Sequence, residues 1–249
     1  MPNLGPQGTY QWQDVMNTVK DLTHQIPTTV SQIYVCDTVN SIIWLKWPWV
    51  WTVNALTPIL AVNGQQDYPN RPSDFHKLVS GRIYRTDVSP FQAQPVKVFQ
   101  HLEVELQRQG SINTIQGVSY EPTVDSFRLD VPLNISGTTV YTIALDYQQQ
   151  PAKVTTLAAP PIPAPDKYFN VAVEGVLWGI YKLADDPRAG TVTINRAGDK
   201  QYSGQLGVFM TALEEMKRME DSGQALDNRW PEEPLGWVRT GNPGIFPTI

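Results

Sequence analysis

The chain has 249 residues, enough for one large domain or two small ones with a buried core. Hydrophobic residues make up 41% and charged residues 17%, so a folded protein with an unusually uncharged surface is expected. The net charge is −5 and no segment clusters Lys and Arg, which argues against a tight grip on a phosphate backbone.

Taken in order, residues 9–25 read as a first helix. Thr9 is placed as its N-cap, Trp12, Val15, Met16, Val19 and Leu22 recur at helical spacing, and Pro27 stops it. A second helix is expected over 28–47. Val30, Ile33, Cys36 with Asp37, Val39 with Asn40, and Ile43 form one face, Trp44 and Trp47 follow, and Pro48 ends it. The period then changes from 3.6 to 2. VWTVNAL, ILAVNGQQDY, LVSGRIYRTD, VKVFQHLEVE, INTIQGVSYEP, DSFRLDVPL and TVYTIALDYQQ alternate or run apolar, and NGQQ (63–66) and SGTT (136–139) read as turns. These are expected to be short antiparallel strands of a small sandwich or barrel.

APPIPAP (159–165) is stiff and extended, and Asp166 is expected to cap a third helix carrying Phe169, Val173, Val176, Leu177, Ile180, Tyr181 and Ala184 as an apolar stripe. DDPRAG breaks it. A fourth helix is expected over 200–221, with 191–199 as its possible early start. Leu206, Phe209, Met210, Leu213 and Met216 share one face, opposite Glu214, Glu215, Lys217 and Arg218. From Ser222 the periodicity ends, yet Trp230, Trp237, Ile245 and Phe246 remain, as suits an extended arm that docks its apolar side chains.

Neither helical pair buries its apolar faces well alone. The fold class expected is therefore α+β: a helical bundle from the N- and C-terminal helices, an inserted antiparallel β-rich domain, and an extended C-terminal arm. The divisions are 1–48 and 158–222 for the bundle, 49–157 for the insertion and 223–249 for the arm. WLKWPWVW packs Trp44, Trp47, Trp49 and Trp51 into eight residues. With Trp44 and Trp47 on the last turn of a helix and Trp49 and Trp51 in the first strand, the cluster is expected to fill the joint between bundle and sheet.

Residues that could carry chemistry are few. Cys36 is the single cysteine, so no internal disulfide forms, and its helical setting makes it a core residue. His24, His76 and His101 are scattered, with no metal-ligand spacing, and no nucleotide-binding or nucleophile motif occurs. No catalytic residue, metal or cofactor is expected. Asp185-Asp186 and Glu214-Glu215 read as turn and surface residues, Asp67 and Ser73 as turn-makers. Asp125, Asp130 and Asp146 could in principle face one another as glycosidase carboxylates do. Sugar binding on Trp49, Trp51, Tyr68, Tyr84, Tyr120, Tyr141 and Tyr147 is the rival function. No signal peptide is read in MPNLGPQGTYQWQD, and no apolar run approaches bilayer length, so no membrane partner is expected.

Several phrases, in their order, resemble the head-to-tail connector (adaptor) proteins of tailed double-stranded DNA bacteriophages. They are the Trp-rich helix end WLKWPW, GQQDYPNRPSDFHKL, ALDYQQQPAKVT followed by IPAPDKYFNVAVEGVLWGIYKLADDP, and YSGQLGVFMTALEEMKRM. The resemblance covers most of residues 9–222; 88–116 and the segment after 222 have no counterpart. It implies a structural virion protein at the head–tail junction, assembled in the host cytoplasm. Such proteins form a ring, usually of twelve copies, below the portal protein. They extend the channel through which double-stranded DNA passes and offer a platform to the next tail or nozzle protein. On that footing Trp230, Trp237, Ile245 and Phe246 are expected to contact the portal or a neighbouring copy. Another neck protein, a stopper or terminator, is the nearest alternative.

Overall fold

The computed structural model describes residues 10–23, 28–85, 92–99, 115, 117–132, 140–158 and 168–227. In chain order these form α1 (Trp12–Leu22), α2 (Thr29–Lys46), β1 (Val53–Ala55), β2 (Ile59–Leu60), β3 (Asp67–Tyr68), β4 (Phe75–Arg85), β5 (Gln92–Phe99), β6 (Gly117–Glu121), β7 (Ser126–Leu129), β8 (Tyr141–Gln149), α3 (Phe169–Leu183), β9 (Val192–Ile194), β10 (Lys200–Tyr202) and α4 (Gly204–Asp227). The architecture is α+β, with four helices and an eight-stranded curled sheet inserted between the N- and C-terminal helices. Contacts divide the chain into two compact units: Trp44–Ala152, and the described parts of Gln7–Ile43 with Lys153–Ile249.

The first unit is the sheet, in the order β1-β8-β4-β5-β6-β7-β3, with β2 also paired to β8. β8 is its axis because it pairs β4 on one side and both β1 and β2 on the other. Its alternation sends Ile143, Leu145 and Tyr147 into the core, where Phe75, Tyr120 and Phe127 meet Tyr147's neighbourhood edge-on or tilted at centroid distances of 4.7–6.0 Å. Two register shifts in β4, at Phe75/Lys77 and Leu78/Ser80, add local twist and help the sheet curl into a half-barrel. The expectation of a purely antiparallel sandwich or barrel is corrected here. The sheet is single and mixed, because β5 and β6 pair in parallel. Residues 100–116 lie between them, enough chain for the crossover that a parallel pair requires.

The second unit takes helices from both ends of the chain. α3 lies against α1 and runs antiparallel to α4, since Tyr168 donates to Glu220 at 2.6 Å at one end and Trp178 stacks on Phe209 farther along. α3 is buried on nearly every side, from Val171 to Tyr181. Gly175 and Gly179 sit one turn apart where it meets its neighbours. A Cβ on Gly175 would lie 2.6 Å from Val39 and 2.8 Å from Phe209, and one on Gly179 would lie 2.5 Å from Val35. The chain leaving the sheet is tied down by Val154 N–H donating to Asp37 (2.8 Å) and by Gln13 N–H donating to Leu157 O (2.9 Å).

Several boundaries differ from the sequence reading. α1 is capped by Gln11, whose N–H donates to Asp14 at 2.7 Å, and not by Thr9. The buried face of α2 is Gln32, Val35, Cys36, Val39, Asn40 and Ile43; Ile33 is half-buried and Val30 is exposed, because a stripe centred about one residue earlier faces α3 through Val35 and Val39. Residues 191–202 form the hairpin β9–β10 and do not begin the fourth helix, since Gly198 and Asn195 make a turn there. α4 continues to Asp227, five residues past the expected start of the arm. Asp166, the 159–165 proline run, the 136–139 turn, His24 and His101 lie outside the described residues.

Candidate functional site

The WLKWPWVW stretch organises a compact site within the sheet unit. Pro48 ends α2 and the chain folds tightly: Trp49 N–H donates to Trp47 O (2.9 Å), and Thr52 returns its N–H (2.9 Å) and hydroxyl (2.8 Å) to Trp49 O. Residues 50–52 form a single 3₁₀ turn. Trp49 and Trp51 therefore precede β1 and are not strand residues, which corrects the sequence reading. Pro48 forces the turn before any ladder can start.

The turn gathers all four indoles. Trp44 meets Trp51 edge-on (5.4 Å, 83°), Trp47 meets Trp49 edge-on (5.3 Å, 79°), and Trp49 stacks on Trp51 (5.8 Å, 9°). These are the offset and T-shaped arrangements that the ring quadrupole favours. Lys46 places its ammonium 5.3 Å from the Trp47 ring centroid.

β8 holds the cluster from beneath. Trp44 donates its indole N–H to Gln149 O at 2.6 Å. Gln148, fully buried, donates from Nε2 to Trp44 O (2.7 Å) and Trp47 O (2.8 Å). Those carbonyls belong to the last turn of α2 and the residue after it, where no intrahelical partner remains. Gln148 thus supplies the C-terminal cap of α2 from a strand about a hundred residues away. Sequence reasoning missed Gln148. The one signal was a glutamine run, QQQ, at the end of an apolar alternation.

The four indoles turn much of their ring surface toward one another. Trp49 is 2% exposed, and Tyr68 and Tyr147 are buried in the sheet core, so three of the seven aromatics of the sugar-binding reading have no face to offer. Trp44, Trp47 and Trp51 are half-buried.

The acidic residues are each engaged locally. Asp125 accepts from Tyr120 (2.7 Å) and pairs with Arg71 (2.5 Å), and the Tyr120 hydrogen bond, with Arg71, holds its carboxyl below the usual range. Asp146 accepts from Ser80 (2.5 Å), and Asp130 from Val131 N–H (3.0 Å). Asp74 accepts from Tyr147 (3.0 Å) and Gln149 (2.5 Å). Burial, reinforced by Asp74, pushes the Tyr147 phenol up. Asp67 opens β3 beside Arg128 and is not in a turn, whereas Ser73 is. Asp186 caps the 3₁₀ turn at 187–189 through Arg188 N–H (2.9 Å).

Cys36 is fully buried, and burial first, then the Asp37 charge, pushes its thiol up to about 12. His76 is exposed, and desolvation, then Lys77, lowers its pKa. Among the described residues no group of three His, Cys, Asp or Glu could hold a metal ion, and no helix is long and apolar enough to cross a membrane. Trp230, Trp237, Ile245 and Phe246 lie outside the described residues. No family model matches the chain, and comparison with curated proteins finds no similar sequence.

Proposed function

We propose that this chain is a structural virion protein of a tailed double-stranded DNA bacteriophage, a head-to-tail adaptor that assembles as a ring below the portal. The observation that carries the reading is architectural. Helices from both ends of the chain pack into one unit, and the chain between them forms a separate β-rich unit, the layout that the phage adaptor resemblance implies. The aromatic cluster fits a mechanical role as well, since its largest surfaces are spent on each other and on β8.

In this reading the ring, usually of twelve copies, extends the DNA channel and offers its outer end to the next tail component. Each copy meets its neighbours through heterologous contacts. Trp230, Trp237, Ile245 and Phe246 seat on the portal or a neighbouring copy when the ring forms. The acidic balance suits a lumen that passes DNA without holding it. The protein acts at the head–tail junction of the virion and performs no catalysis.

The test is native mass of the purified chain, alone and mixed with the portal protein encoded on the same genome. The expected result is a ring-sized mass gained on mixing, with an added collar on the portal in negative stain. A chain that ignores the portal overturns the reading.

A further inference from the structure

The sequence holds one Asn-Gly pair, Asn63–Gly64, in the connection between β2 and β3. That connection spans the curled sheet, since β2 pairs with β8 and β3 with β7, near opposite ends of the strand order. Val62 O accepts from Gln65 N–H (3.1 Å), which makes Asn63 and Gly64 the two central residues of a β-turn. Gly64 has φ +73° and Asn63 a negative φ, the type II pattern that wants glycine at its third position.

One phenol holds both flanks of this turn from the core side. Tyr68, 3% exposed, accepts from Val62 N–H (3.3 Å) and donates to Gln65 O (3.2 Å). The Asn63–Gly64 peptide lies between these anchors, outside the turn's own hydrogen bond, and residues 62–64 are exposed. A Cβ on Gly64 would meet nothing within 4 Å, so no neighbour crowds the turn there, and glycine sets no side chain of its own beside the amide.

We infer that Asn63 is a site of spontaneous modification in the folded protein, through attack of the Gly64 amide nitrogen on the Asn63 side-chain carbonyl carbon. A bond forms between Gly64 N and Asn63 Cγ. The side-chain nitrogen leaves as ammonia, carrying the proton that the Gly64 amide gives up. Water then opens the cyclic imide at either carbonyl. One opening leaves aspartate at 63, and the other routes the main chain through the side-chain carbons as isoaspartate. Neither oxidant nor partner is required. The attack needs the central peptide to rotate toward the side chain, a freedom that glycine gives the turn. Other asparagines before small residues are held. Asn40, before Ser41, is buried in α2, where the helical ladder ties up the next amide, and Asn54, before Ala55, is paired with Tyr147 in the sheet.

Each event adds a negative charge to the turn, and isoaspartate also adds a carbon to the main chain. The Val62–Gln65 hydrogen bond and the two bonds to Tyr68 fit the unmodified span, so the iso form loosens the connection from β2 to β3. The inference does not rest on the adaptor reading.

Peptide mapping of the full chain, aged in its folded state, tests it. Position 63 should gain one mass unit and resolve into aspartate and isoaspartate peptides before Asn40 or Asn54 changes. The rate should rise about tenfold per pH unit between about pH 7 and 8, because the attacking nitrogen must first lose its proton and lies far below its pKa. Asn63→Gln, which keeps the amide one carbon farther away, should lose the reaction over the same time. Asn63 left intact in the folded chain overturns the inference, and conversion seen only in denaturant does so by showing that the turn protects the pair. A rate indifferent to pH overturns it too. In the separated isoaspartate form, amides of 62–68 should exchange about tenfold faster than in the parent; unchanged rates overturn the loosening.

Discussion

Gln148 does for α2 what the helix cannot do for itself. Its amide closes two carbonyls at the end of α2 and so fixes the direction in which the chain leaves toward Pro48 and the indole cluster. Gln148→Leu keeps the volume and removes the donors, so Trp44 O loses the amide while Trp47 O keeps the Trp49 N–H, at a cost of about 1–3 kcal/mol. Chemical denaturation measures it; a loss under about 0.5 kcal/mol would mean that water replaces the amide. Cys36 makes a second prediction. Its folded pKa is raised, so the stability gained by keeping the thiol neutral is fully present below about pH 9, its ordinary value, and is lost as pH climbs toward 12. Tyr68 and Tyr147, raised chiefly by burial, act in the same direction from their ordinary value of 10 upward. Stability should therefore fall on the alkaline side of pH 9, and a thiol reagent at pH 8 should find no reactive group until the chain is denatured. Prompt labelling of the native protein would contradict the buried placement.

Among the elements, α3 depends most on having small residues at two positions. Gly175→Ala gains about 1 kcal/mol of helix propensity but drives a methyl into Val39 and Phe209, and overpacking costs about 1–3 kcal/mol. Val39 is β-branched and stiff, so it yields little. The expected result is a net loss of stability, read by thermal unfolding; a gain would mean that α3 can move off its neighbours at no cost. The glycines were visible in VEGVLWGI, but not their purpose. A glycine inside a helix marks either tolerance or close approach, and only the neighbouring helices decide which. The β9–β10 hairpin shows the opposite case. TVTINRAGDKQY carries an alternation and a turn, yet its position before an apolar helix made it read as helix.

At the scale of the whole molecule, the two units divide the chain unequally. Among the described residues one is a continuous stretch and the other takes both ends, so the helical unit cannot be completed until the sheet's residues have been made. The adaptor reading lives at this scale, and its native-mass test has an informative control. Trp230→Ser/Trp237→Ser should leave the helical signal of the free chain intact and weaken ring formation on the portal. Truncation for this purpose belongs after Asp227, because α4 runs that far.

Period and punctuation were enough to find α1, α2, α3 and most strands. Pro48, the DDP turn and NGQQ act locally, on the residues beside them, and the apolar spacing of each helix is written in its own sequence. The burial of Cys36 and the turn chemistry of Asp186 were legible for the same reason. What the sequence could not carry was set by distant partners. The parallel pairing of β5 with β6, the capping of α2 by Gln148, the one-residue rotation of α2's buried face and the close approach at Gly175 each depend on a residue far along the chain. Hydrogen bonding and packing between such residues have no local signature, so only the tertiary structure decided them.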